Sequence, residues 1–444
     1  MTTRNRIRLS ERQTSLLWQQ AVGTQLTSTD GEQFHVIYPG RINGDNGPDF
    51  RDVVIANKSR LMKGDVEVHV RSSDWHSHEH DADAQYNDVI LHVVMWHDCN
   101  SATVLQSGRE VPILCLAGAL RRQAYLLPYT LPCFRILDRM DRGVLRKILD
   151  IAGEQRFEQK AIRFRAEILG AAPRTPAIGQ AAGQVLFRGM MRALGYAKNT
   201  NPFQQLADRV PLASIESREG LAAKQALLLG AAGLLPSQRR QIEPAKEREI
   251  QELEQIWRSM DDKVKAMEQS DWKLSHIYPN NSPVRRIIAQ SYLLERYNRG
   301  KLLPGILEMV RDTPPSSGHR PLQGGLTVDS DGYWRDHFDF GVRSRTKISA
   351  LLGHSKAAEI AVNVMLPFAF ACGELADQAD LTDHALQLYR SYPSLPDNCL
   401  TRHMTRQLCS EEHIDFIASQ QQGLIHIFRS YCREGECWRC PLVR

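Results

Sequence analysis

The chain has 444 residues, 42% hydrophobic and 24% charged, which is enough for two or three domains with cores of their own and excludes a disordered or fibrous protein. A net charge of +5 permits nucleic acid as a partner without demanding it, and nine cysteines in this length exclude a disulfide-stapled scaffold. No apolar run approaches a membrane span and the opening MTTRNRIRLSERQ has no apolar core, so the expected location is the cytoplasm, with no membrane partner.

The first predicted element is a helix over Leu9–Gly23, with Ser10 as N-cap and Leu16, Leu17, Trp18 and Val22 on one broad face. Short β-type runs follow at Phe34–Tyr38, Phe50–Asn57, Gly64–Val70, Val89–Trp96 and Val111–Cys115, each bounded by Gly, Asn, Asp or Pro. After Cys133 the period becomes helical, over Leu145–Leu169, Gly179–Leu194, Leu221–Leu234, Lys246–Met267, Val284–Tyr297, Ala357–Cys372 and Ala385–Tyr389. Arg311–Gly332, with three prolines and four glycines, reads as a long loop.

Chemistry concentrates in Gly64–Val70. Strict alternation sends Val66, Val68 and Val70 to one face of the strand and Asp65, Glu67 and His69 to the other. Taken alone, that is a half-exposed strand whose polar face meets water. The preceding strand changes the balance: Asn43–Phe50 delivers Asp49 straight after Pro48, which cannot join a ladder. An antiparallel hairpin of the two strands sets Asp49 and Glu67 near one end, the pair of carboxylates that a hard cation such as magnesium or manganese takes.

The order helix, strand, Pro48-Asp49, strand, Glu67-x-His69, short helix, strand resembles the core of the PD-(D/E)xK nuclease superfamily over roughly the first hundred residues. The resemblance implies a mixed, restriction-endonuclease-like sheet, metal held by Asp49 and Glu67, a contribution from Glu11 on the first helix, and nucleic acid, DNA or RNA, as substrate. The superfamily usually has lysine where this chain has His69, which would orient or deprotonate water without a permanent charge. The whole chain also resembles an uncharacterised bacterial family of unknown function. That likeness is carried by Gly47-Pro48-Asp49-Phe50, Gly64–His69, Ser73-Asp74-Trp75 with His78, Leu91–Val94, Leu194-Gly195-Tyr196 with Asn199, Asn363 with Leu366-Pro367, and the final cysteines.

Six of fifteen histidines fall between His69 and His97. His78, His80 or Asp81 would join the metal site or contact phosphate, or the stretch is a solvated loop. A rival reading compares His76-x-His78-x-His80-Asp81 with the motif of metallo-β-lactamase-type zinc hydrolases, although its last two residues are transposed here. His92, in a strand apolar on both faces, is expected to be buried as a hydrogen-bonded core histidine or as support for the site.

At the C-terminus Cys432-x4-Cys437-x2-Cys440 has the spacing of thiolate metal ligands for zinc or a 4Fe–4S cluster, with Cys133, Cys409 or His426 as fourth donor. Cys133 is preferred, because some PD-(D/E)xK nucleases pair one distant cysteine with three near the C-terminus around an iron–sulfur cluster. In the helical region Arg163, Arg165, Arg188, Arg192, Arg285 and Arg286 either follow a phosphate backbone or serve internal ion pairs. Tyr333, Trp334 and Trp438 either stack on bases or pack in cores.

The expected architecture is an α/β nuclease-like domain over 1–130, a helical domain over 131–425 and a cysteine metal motif over 426–444. The expected function is a metal-dependent nuclease. The alternatives are a non-catalytic nucleic-acid-binding or assembly protein on a degenerate nuclease fold, and a zinc hydrolase built on His76–Asp81.

Overall fold

The computed structural model describes residues 10–57, 60–117, 131–172, 178–196, 198–239, 247–261, 264–275, 277–298, 301–315, 319–409 and 414–443. Leu9 and Lys246, where two helices were expected to begin, and the 130/131 domain boundary touch residues outside these ranges. The chain divides into two compact units, Met1–Ile148 with Asp397–Ile414 and Leu424–Arg444, and Leu149–Pro396 with Asp415–Gly423. The C-terminal cysteines therefore belong to the sheet-bearing unit rather than forming a segment of their own.

The first unit opens with helix α1 (Glu11–Gln19), started by a reciprocal capping box in which Ser10 and Gln13 satisfy each other's backbone amides. Its buried face centres on Thr14 and Trp18, while Leu16 stays half exposed, so the apolar face is narrower than the leucines suggest. A mixed sheet follows. Strands β1 (Gln25–Thr27), β2 (Gln33–Tyr38), β3 (Arg41–Ile42), β4 (Phe50–Ala56), β5 (Leu61–Arg71) and β6 (Val89–Trp96) pair with Ile113–Cys115 in the order β1-β2-β4-β5-β6-(Ile113–Cys115), and β3 adds to β4. β4 and β5 are antiparallel, whereas β5–β6 and β6–(Ile113–Cys115) are parallel.

This places β5 in the middle of the sheet with both faces covered. Val66 and Val68 join Trp18, Phe50, Leu91, Val93 and Leu114 in the main core of the unit. On the other side a smaller cluster of Trp75, Tyr86, Val89, Leu105 and Val111 forms a roof. Asp65, Glu67 and His69 are consequently buried, at 6%, 5% and 1% exposure, and the half-exposed strand expected from alternation alone is not what forms. The reason is the parallel β5–β6 step: a crossover must return over the sheet, and residues 72–88 fold back across the polar face.

The second unit is mainly helical and packs its own large apolar core from helices such as Ile178–Leu194, Leu221–Ala231, Pro283–Arg296 and His354–Leu375. Among the described residues, His354–Leu375 is the helix long and apolar enough to cross a membrane, and most of it is buried in that core. Gly153 and Gly423 let two helices of this unit touch: a Cβ at Gly153 would stand 2.1 Å from the Ser419 carbonyl, and one at Gly423 would stand 2.1 Å from that of Leu149. The expected loop Arg311–Gly332 instead contains a helix, Arg320–Leu326, and a strand, Val328–Asp329, paired with Ala350–Leu352.

Candidate metal centre

Asp49 is set by the turn before it. The Asn43 side-chain amide donates to the Pro48 carbonyl at 2.9 Å, and the Asn43 backbone amide donates to the Asp49 carbonyl at 2.7 Å. Gly47, at φ +95°, supplies the left-handed step that this turn needs. From there Asp49 and Glu67 lock together: the Asp49 amide donates to Glu67 Oε2 at 2.9 Å, and the Val68 amide donates to Asp49 Oδ2 at 3.2 Å. Glu67 Oε1 remains and faces imidazoles, 3.4 Å from His69 Nε2 and 3.4 Å from His80 Nε2.

The crossover supplies His78 and His80 to stand beside His69 of β5. Its helix α2 (Asp74–Ser77) is pinned at its start by Asp74, which accepts from the Arg71 amide at 2.9 Å, and beneath it Trp75 donates its indole N–H to the Val104 carbonyl. Trp75 is fully buried and meets His69, His80 and His92 edge-on or tilted, while Tyr86 stacks on His80 with centroids 3.9 Å apart. One nitrogen from each of His69, His78 and His80 lies within 4.8 Å of the other two. His78 Nδ1 is 3.2 Å from His69 Nε2, and His78 itself is exposed, so the centre opens to solvent there. His80 Nε2 is buried and lies 3.4 Å from Glu67 Oε1 without the geometry of a hydrogen bond.

Electrostatics agree with a site short of positive charge. Burial, and then the neighbouring Glu67 carboxylate, hold Asp49 well above the usual carboxylate range; burial likewise raises Glu67, with Glu11 adding to it. Burial pushes His69 down to about 2 and His92 to about 3, so both rings are neutral and able to offer lone pairs. Glu11, exposed at the start of α1, acts on Asp49, Glu67 and His80 through its charge alone.

The structure thus gathers Asp49, Glu67, His69, His78 and His80 into one centre with Glu11 at its margin. It leaves out Asp65, whose carboxylate takes the Arg51 guanidinium and the Asp52 amide, and His76, which pairs with Asp81 outside. The sequence offered His80 as one of three candidates, with His78 and Asp81, whereas Tyr86, stacked on His80, was given no role. A cavity of about 320 Å³ elsewhere in the unit is lined by three cations, Lys63, Arg109 and Arg433, and three anions, Asp52, Asp65 and Asp88, so it has no bias toward an anionic ligand.

Among the arginines read as possible phosphate contacts, Arg163, Arg165 and Arg188 pair with Glu167, Glu374 and Asp208. Arg285 and Arg286 are buried on backbone carbonyls. Tyr333 and Trp334 are core residues, whereas Trp438 is exposed with Arg439 over its ring.

Fold and site define a two-unit protein in which a central strand of a mixed sheet carries a cluster of carboxylates and histidines. The chain belongs to the family described as "Protein of unknown function (DUF2851)", whose model matches residues 11–397. No curated protein and no solved structure matches it.

Proposed function

We propose that the protein is a metal-dependent phosphodiester hydrolase acting on nucleic acid, with its metal held by Glu67, His69, His78 and His80 and with Asp49 beside it. The observation that carries this reading is the convergence of the Asp49–Glu67 pair with three imidazoles on one buried floor open at His78. The helix, the antiparallel hairpin and the parallel third strand, with Pro48-Asp49 and Glu67 where the nuclease resemblance puts carboxylates, support the phosphodiester class.

A donor set rich in imidazole suits manganese, iron or zinc better than magnesium, which prefers oxygen ligands and retained water. Bound there, such an ion would lower the pKa of a coordinated water and offset charge on the scissile phosphate. His69, neutral through the whole working pH range, fits the part of ligand better than that of general base. Asp49, raised toward neutrality and with one carboxylate oxygen tied to the Val68 amide, is the better proton acceptor. The imidazole trio also favours a second reading, a zinc hydrolase of a different ester bond.

The test is cleavage of labelled single- and double-stranded DNA and RNA with manganese, zinc or magnesium, by wild type and by Glu67→Gln, Asp49→Asn and His80→Ala purified identically. Loss of about 10²-fold or more in each variant is expected. Equal cleavage by wild type and Glu67→Gln would sink the proposal. Hydrolysis confined to small esters and lost in His80→Ala would select the zinc hydrolase instead.

A further inference from the structure

An imidazole that binds a metal has to be held in one plane. A metal-binding histidine ordinarily has its second nitrogen tied to a carboxylate, a carbonyl or water. For His69 a neighbouring ring serves, since His92 Nε2 lies beside His69 Nδ1. His80 has no such support: among the described residues nothing hydrogen-bonds either of its ring nitrogens, although the residue is buried. What surrounds its ring instead is aromatic.

Tyr86 lies over the face of the His80 ring with 27° between the planes, and Trp75 meets the same ring edge-on, with centroids 5.4 Å apart and 71° between the planes. Tyr86 and Trp75 brace each other edge to face at 5.8 Å. The backbone fixes Tyr86 from both sides. Asp83 starts the short turn Ala84–Tyr86 by accepting from the Gln85 amide at 2.8 Å, and the Tyr86 amide donates to the Asp83 carbonyl at 3.1 Å. After it, the Asn87 carbonyl accepts from the Arg109 guanidinium at 2.9 Å, and the Asn87 side chain accepts from the Ser107 amide at 3.0 Å. His80 is aimed by its own backbone, with Glu79 before it in the left-handed region at φ +58° and its amide donating to the Trp75 carbonyl at 3.2 Å.

We propose that Tyr86 is the positioning residue of His80: its ring holds the imidazole with Nε2 toward Glu67 and stabilises that imidazole once it shares the charge of a bound metal ion. The inference rests on the metal centre proposed above and adds the residue that completes it. A ring stacked on the face of an imidazole leaves the in-plane lone pair of Nε2 open. The face of a phenol ring is electron-rich, so its attraction to the imidazole grows when the imidazole gives electron density to a cation. The Tyr86 hydroxyl makes no hydrogen bond among the described residues, which leaves the role to the ring.

The experiment titrates metal-free full-length protein with cobalt(II), reading the visible absorbance of the bound ion and taking affinity from competition with a chelator. Tyr86→Phe is expected to bind within about twofold of wild type, and Tyr86→Leu about 3–30-fold more weakly with an altered cobalt spectrum. A purely structural role would lower stability in Tyr86→Leu without passing through His80. The double variant separates the two: added to His80→Ala, Tyr86→Leu is expected to weaken cobalt binding no further. Far-UV circular dichroism identifies a variant that has failed to fold, and Tyr86→Met, which fills much of the same space without an aromatic face, then takes the place of Tyr86→Leu. Wild-type affinity in folded Tyr86→Leu or Tyr86→Met would overturn the proposal, as would an equal loss in the presence and absence of His80. Loss in Tyr86→Phe as large as in Tyr86→Leu would overturn it too, by assigning the effect to the hydroxyl. Cobalt bound by wild type without cleavage of any nucleic acid would remove the hydrolase reading and leave the Tyr86 assignment standing, whereas wild type that binds no cobalt, zinc or manganese would overturn both.

Discussion

At the residue scale the proposed metal centre depends on which ring nitrogen carries each proton. His69 Nδ1 lies 3.0 Å from His92 Nε2, and His92 Nδ1 lies 2.8 Å from Thr103 Oγ1. With His69 Nε2 turned toward a metal, its proton sits on Nδ1 and is donated to His92 Nε2. His92 then carries its own proton on Nδ1 and donates it to the Thr103 hydroxyl, so every nitrogen of the chain has a partner. This is the support that orients a metal-binding imidazole and raises its basicity. Thr103→Val and His92→Phe are therefore expected to weaken metal affinity by about 10–100-fold without abolishing the fold, as read by competition with a coloured chelator. Wild-type affinity in both would mean that His69 is not a ligand. His92 was legible as a buried histidine because its strand is apolar on both faces. Thr103 was not, because it belongs to a two-residue strand, Thr103–Val104, with no pattern of its own.

At the scale of elements, an irregularity in β4 aligns the carboxylates. Val53 pairs with Gly64 and Val54 with Lys63, but Phe50 pairs with Val66, one residue short of that register. Arg51 and Asp52 take up the slip, with Asp52 in the left-handed region at φ +59°. A one-residue slip exchanges the faces of a strand, so the bulge is what brings Asp49 level with Glu67. Asp65 closes it by accepting from the Asp52 amide and the Arg51 guanidinium. Asp65→Ala is expected to cost about 1–3 kcal/mol in urea unfolding, because it strands a backbone amide and part of a guanidinium, and to weaken metal binding as well. Loss of stability with metal affinity unchanged would show that the bulge does not set the alignment. The alternation of β5 could be read from sequence, and the Pro48-Asp49 entry with it. Asp65, on the same polar row, serves the bulge instead of the centre, and a bulge leaves no mark in periodicity. Helices with long uninterrupted periods were legible within a few residues: Val284–Tyr297 corresponds to Pro283–Arg296. Thr200–Arg209, Leu302–Asp312 and Arg320–Leu326 were missed because proline or glycine falls inside them, and their prolines sit in the first turn, where no amide partner is needed.

At the scale of the whole molecule the buried histidines and the buried carboxylates set opposite limits on stability. Buried His69 and His92 stay neutral in the fold but charge in the unfolded chain below about pH 6.5, so stability is lost as the pH falls from there. Asp49 and Glu67 run the other way. Burial keeps them protonated in the metal-free fold up to neutrality, whereas the unfolded chain releases those protons near pH 4. The native state therefore binds more protons than the unfolded one, and stability falls as the pH rises through the raised carboxylate values. Below about pH 6.5 the two trends oppose each other, and above it only the carboxylate one remains. Metal-free protein is accordingly expected to melt at a lower temperature at pH 8 than at about pH 6.5. A bound divalent ion removes that fall, because it takes the place of the displaced protons and binds more tightly as the pH rises. The gap in melting temperature between manganese-loaded and metal-free protein should widen across that interval, and in Glu67→Gln both the slope and the gap should shrink. A gap that stays constant from pH 6.5 to 8 would mean that the ion does not displace protons from Asp49 and Glu67, and the metal centre would have to be placed elsewhere.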